Sequence, residues 1–107
     1  MNEATALTAL SSISNETRLR MFRLLAQAGA QGMTAGDVAS AVGATPSRAS
    51  FHLAALAEAG LATSQRNARQ VLYTIDFQAM GALMRYLLQD CCQGNAVVQA
   101  YCTDSCC

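Results

Sequence analysis

Cys91, Cys92, Cys102, Cys106 and Cys107 are the five cysteines of this 107-residue chain, and all stand within its last seventeen residues. Four of them form two adjacent pairs. A single free cysteine often only fills apolar space, but this clustering points to chemistry. Thiolates are soft ligands that select soft, thiophilic ions, and no histidine follows His52 to supply a borderline nitrogen. Thiols also undergo redox exchange. A disulfide between neighbours in a helix is strained, so a redox switch would join distant positions such as Cys92 and Cys106. Nothing in the sequence sets a general base beside a nucleophilic cysteine, and no enzyme activity is expected.

Geometry limits which thiols can share one ion. On a straight helix the eleven residues from Cys91 to Cys102 would separate them by roughly 16 Å, so the chain has to bend. The stretch QGN, with Gly94, is the expected place. Cys102 then becomes the expected third ligand to the Cys91 and Cys92 pair, with Cys106 and Cys107 as substitutes, a second site or a reactive terminus.

A second set of residues suits a polyanion. The seven cations are all arginine and are matched by seven acids, so no overall field draws the chain to nucleic acid. The distribution is uneven. Residues 45–69 carry Arg48, Arg66 and Arg69 against Glu58 alone, leaving a local surplus of +2. Arginine is the cation suited to bidentate contacts with phosphate and guanine.

Two patterns of elements would hold these residues. Apolar residues at Ala4, Leu7, Leu10 and Ile13 suit one face of a first short helix over 2–13. Residues 16–28 form a core helix with Leu19, Phe22, Leu25 and Ala26 on a broad stripe beside Met21 and Leu24, capped by Ser14 or Asn15. MTAGDVASAVG reads as a third helix opened by Thr34 with Asp37 and stopped by Gly43. The fourth follows after four residues, with Thr45 as cap, Pro46 at its first position and Gly60 as stop. Two short helices joined by a tight turn make a helix-turn-helix. Ala49, Leu53, Leu56 and Ala57 face the core of that fourth helix. Ser47, Arg48, Ser50, Phe51 and His52 are left on its other faces, and among them the hydroxyls, the Arg and the His are residue types a major groove accepts.

Beyond Gly60 the period changes to two. LATSQRN and QVLYTID read as strands of a hairpin joined by NAR, with Gln65, Arg66, Asn67 and Arg69 near its tip. Helical spacing returns in FQAMGALMRYLLQDCC, where Phe77, Met80, Leu83, Met84, Leu87 and Leu88 share one wide apolar face that needs a cover. The expected class is mainly α with a small β-hairpin wing. Residues 1–90 form the folded unit and residues 91–107 a cysteine-rich tail.

In NETRLRMFRLL, TPSRASFHLAALAEAGL and RNARQVLYTID, in this order and spacing, the sequence resembles the ArsR/SmtB winged-helix repressors over roughly residues 12–90. The resemblance implies a homodimer built on the first and last helices. It also implies binding of double-stranded operator DNA by the fourth helix and wing, and release when an inducer binds. The DNA contacts expected here are Thr45, Ser47, Arg48, Ser50, His52, Arg66 and Arg69.

Members that sense zinc through the last helix carry Asp and His, then His and Glu; here those places read Asp76, Gln78, Gln89 and Cys92. Members with a Cys-Val-Cys stretch on the third helix differ too, since this chain has GDVASAVG. The tail instead looks like that of arsenic-responsive repressors with a vicinal cysteine pair at the end of the last helix. The family's third cysteine lies closer to the pair than Cys102 does. Trivalent arsenic or antimony, held by Cys91, Cys92 and Cys102, is the expected inducer, and a methylated arsenical would need only two thiols. A thiol redox or persulfide sensor on the same frame is the alternative.

One domain of this length buries only about two-thirds of its unfolded surface, which a partner subunit would improve. The opening residues lack the basic start and apolar run of a secretory signal, and no stretch reaches the ~18 apolar residues of a membrane span. A cytoplasmic protein is expected, where clustered thiols serve as ligands or redox groups rather than a disulfide framework.

Overall fold

The computed structural model describes residues 1–106, with side chains described as far as Cys102. Helices α1 (Glu3–Ile13), α2 (Glu16–Ala28), α3 (Ala35–Val42) and α4 (Pro46–Glu58) come first. The hairpin β2 (Ala62–Asn67) and β3 (Gln70–Ile75) follows, then α5 (Phe77–Arg85) and α6 (Ala96–Cys106). A two-residue strand β1 (Met33–Thr34) precedes α3, and a π-helical turn, Tyr86–Cys91, extends α5.

Local chemistry sets the helix starts. The Asn2, Asn15, Thr34, Thr45 and Asp76 side chains each accept the backbone N–H three residues on, at 2.8, 3.0, 3.2, 3.2 and 3.0 Å. Each satisfies a donor that the first helical turn leaves unpaired. Asn15, rather than Ser14, caps α2.

The sheet is antiparallel in the order β1-β3-β2. Pairing of Asn67 with Gln70 fixes the hairpin register, and Ala68 turns it at φ +57°. A Thr63–Thr74 hydroxyl pair, 2.8 Å apart, ties the two strands together. Strand β1 was not expected. Its pairs Met33 with Tyr73 and Thr34 with Leu72 join the start of α3 to the wing.

The main core unites Met21, Leu25, Val38, Ala49, Leu53, Leu56 and Ile75. A smaller core of Ala6, Ala9, Leu61 and Leu83 lies under α1 and α5. Ile13 and Phe22 pack against both. Two expected faces are corrected. Helix α1 turns Ala6, Ala9 and Ser12 inward while Leu7 is exposed, and Leu19 of α2 is exposed too. The small alanines let α1 approach closely, with Leu10 packed at the side of that core and Leu7 facing away. On α5, Leu83 is buried, whereas Phe77 and Met84 remain exposed.

Candidate nucleic-acid interface and thiol segment

Helix α4 is held by Ala49, Leu53 and Leu56, all fully buried. That anchorage turns Ser47, Ser50, Phe51, Ala54 and Glu58 outward along one stripe, with Arg48 beside it. Thr45 uses its hydroxyl oxygen to cap Arg48 N–H, leaving its own O–H free to donate. Arg66 near the end of β2 and Arg69 in the turn are both exposed at the hairpin tip. Six of the seven expected DNA contacts, Thr45, Ser47, Arg48, Ser50, Arg66 and Arg69, therefore stand at the surface.

His52 is the exception. The sequence leaves it on a polar face, but helical geometry puts it between Ala49 and Leu56, and it is only 8% exposed. Burial first, then the positive charges of Arg18 and Arg48, hold its imidazole below the usual 6.5. Its burial sets it apart from the six exposed residues as a phosphate contact. Its Nδ1 and Arg18 Nε are both buried without a hydrogen-bond partner among the described residues. The approach of Arg18 and His52, thirty-four residues apart, has no counterpart in any sequence pattern. The His52 ring also makes a T-shaped contact with Phe51, with centroids 5.5 Å apart and planes at 69°.

The thiol segment begins on the π-helical turn, a wider winding that recurs at functional sites. Cys92 N–H donates to Leu87 O at 3.0 Å, five residues back, and Gly94 N–H to Leu88 O at 2.8 Å. Gln93 and Gly94 both take positive φ, +55° and +64°, so the chain reverses at the expected QGN stretch. Asn95 then accepts Val97 N–H at 2.9 Å and starts α6. Residues of the tail thus form a helix.

Cys91 is exposed, Cys92 and Cys102 are half-buried, and all three are free thiols. Among the described residues no three His, Cys, Asp or Glu side chains come together in a group able to hold a metal ion. The bend exists, but it does not gather the expected trio. The Cys106 side chain and Cys107 lie outside the described residues. Tyr86, beside Cys91, has its phenol pushed above the usual 10.0, first by burial and then by Cys91, Glu3 and Asp90. The chain start comes close to the thiol turn, since Met1 shares a cleft with Tyr86 and Asp90. A cleft of about 590 Å³ lies there, lined by Met1, Gln78, Arg85, Tyr86, Gln89 and Asp90. No helix among the described residues is long and apolar enough to cross a membrane.

Comparison with known proteins agrees with this geometry. A family model described as a helix-turn-helix domain matches residues 13–65, from the end of α1 into β2. The HTH-type transcriptional regulator YgaV of Escherichia coli (strain K12) is 34% identical over 82 residues, covering 77% of this chain and 81% of that protein. The crystal structure of a possible transcriptional regulator for arsenical resistance is 32% identical, with a TM-score of 0.66 over 77% of this chain and 81% of that one. The fold is shared by the homodimeric winged helix-turn-helix DNA-binding domain Mb0332 of Mycobacterium bovis, a possible ArsR-family regulator. It is 23% identical, with a TM-score of 0.66 over 87% and 82% of the two chains. With a helix-turn-helix of α3 and α4, a paired wing and these relatives, the chain belongs to the ArsR family of winged helix-turn-helix transcriptional regulators.

Proposed function

We propose that this regulator is a homodimeric repressor that binds operator DNA through α4 and the wing and is released by trivalent arsenic bound at its C-terminal thiols. The observation that carries this reading is the vicinal Cys91–Cys92 pair at the end of a π-helical turn, followed at once by a reversal into a thiol-bearing helix. The likeness to a structure named for arsenical resistance supports it. Exposed Leu7 on α1 and Phe77 and Met84 on α5 are apolar surface that a second copy would cover.

Two adjacent thiols can displace two hydroxyls of arsenous acid as water. A third thiolate, from Cys102, completes the pyramid and releases the third water. Because Cys102 does not stand with the pair, capture has to swing α6 about Gln93–Asn95. That pull acts on the π turn and so on α5. If α5 belongs to the dimer interface, the two copies of α4 lose the spacing of successive major grooves. The ligand acts only by binding the misaligned state more tightly, with a coupling of about 1–3 kcal/mol.

The exposed thiol of Cys91, together with the lack of a formed trio, favours a second reading. In it, oxidation or persulfidation of separate thiols replaces metalloid capture. Mass spectrometry of the dimer, run beside operator binding, separates the two. Arsenite should add one arsenic per site with loss of three free thiols and should release DNA. Cys91→Ser and Cys92→Ser should bind operator as the parent does and ignore arsenite, whereas the double variant Cys106→Ser, Cys107→Ser should still respond. Release by peroxide with loss of two hydrogens and no arsenic adduct would establish the redox reading instead.

A further inference from the structure

Phe51 is 68% exposed near the start of α4, and it is the one large apolar side chain exposed on that helix among the described residues. An isolated apolar side chain at a surface is ordinary. This one has a particular setting. Its neighbours on the outward stripe, Ser47, Ser50 and Ala54, are all small, so the phenyl ring stands beyond them. Its ring meets that of buried His52 in a T-shaped contact. A ring held out from a row of small residues fits a surface that is mostly polar but offers an isolated apolar feature.

The floor of the DNA major groove is such a surface. Its hydrogen-bonding edges suit Ser47, Ser50 and Arg48, and its apolar group is the C5 methyl of thymine. The residues of a recognition helix that reach base edges lie in its amino-terminal part, and Phe51 is the sixth residue of α4. We infer that Phe51 reads a thymine by packing its ring on the C5 methyl, making it a specificity-determining residue of the operator complex. The inference rests on the reading that α4 enters the groove.

Burying one methyl is worth about 0.8 kcal/mol, which is about fourfold in affinity. The test uses the full-length protein and an operator duplex selected from random sequence, in which each thymine of both half-sites is replaced in turn by deoxyuridine. That exchange removes the methyl and leaves pairing intact. Fluorescence anisotropy at fixed salt should show the parent losing about fourfold per half-site at one thymine. Phe51→Ala should bind the thymine duplex correspondingly less well and be indifferent to the same deoxyuridine, with the salt dependence of binding unchanged. Phe51→Leu should keep part of the preference.

Two results overturn the inference: a parent that binds every deoxyuridine duplex as well as the thymine one, or Phe51→Ala retaining the same penalty. If Arg48→Ala also leaves binding unchanged, the groove placement of α4 fails with it. If Arg48→Ala weakens binding while deoxyuridine has no effect, only the methyl contact is lost. The deoxyuridine arm needs no protein variant, so it decides even if Phe51→Ala folds poorly.

Discussion

Replacing Gly32 by alanine should unfold this protein more readily than its single added methyl suggests. Gly32 has φ +66° and ψ −171°, a region of backbone space held almost only by glycine. Forcing alanine there costs about 1–3 kcal/mol. A Cβ would also run into the Tyr73 carbonyl oxygen and lie 2.7 Å from Thr74 Cγ2. The oxygen belongs to the backbone of the central strand β3 and cannot step aside as a side-chain end would. Overpacking of this kind adds about 1–3 kcal/mol. The sum, about 2–6 kcal/mol, is a large part of the roughly 5–16 kcal/mol that about 0.05–0.15 kcal/mol per residue gives a chain of this size.

Gly36 is the internal control, since it lies in the first turn of α3 with its nearest neighbour, Thr34 Oγ1, 4.0 Å from an added Cβ. Gly36→Ala should leave stability unchanged or raise it by up to about 1 kcal/mol. Urea unfolding followed by circular dichroism, at one fixed protein concentration because the proposed dimer would make stability depend on it, measures both. At a slope of about 2 kcal/mol per molar, Gly32→Ala should lower the midpoint by about 1–3 M, with Gly36→Ala equal to the parent or higher. Equal midpoints for the two variants, or a loss below about 1 kcal/mol for Gly32→Ala, would refute the argument that β1 and β3 are locked together at this point.

Arg48→Ala should weaken operator binding by about 1–3 kcal/mol if it holds a base edge, while Arg85→Ala on α5 should not; equal effects would place the reading surface elsewhere. Arg66→Ala and Arg69→Ala should each reduce the slope of log affinity against log salt by about one, measured by anisotropy across a salt series. His52, whose folded-state value lies below 6.5, binds its proton more readily in the unfolded chain. Its contribution should therefore be present above about pH 6.5 and be lost as pH falls from there through the folded value. Urea midpoints at about pH 5 and pH 7.5 should fall less in His52→Gln than in the parent, and an equal fall in both would contradict the assigned burial.

What the sequence could determine was whatever depends on near neighbours. A cap needs only a short polar side chain and a donor three residues away, so Thr34, Thr45 and Asn15 announced α3, α4 and α2. The same holds for the hairpin, set by period-two runs on either side of residues 68–69, and for the reversal at Gly94, where a left-handed residue is needed. The family resemblance rested on these local stretches in sequence order. Tertiary structure decided what depends on distant partners. Met33–Thr34 became a strand because β3, some forty residues later, had an unpaired edge. His52 went inward because α4 is rotated by what it packs on, and Arg18 of α2 lies against α4, sharing a cleft with Ala55 and Glu58. Leu7 stayed outside because α1 packs on its Ala6 and Ala9 face, and Leu19 because α2 packs on Met21 and Leu25. The thiols show both limits at once. Their number, their pairing and the bend between them follow from residue types and local turns. Whether three sulfurs meet is fixed by how α6 sits on the rest, and that rests on contacts no short pattern encodes.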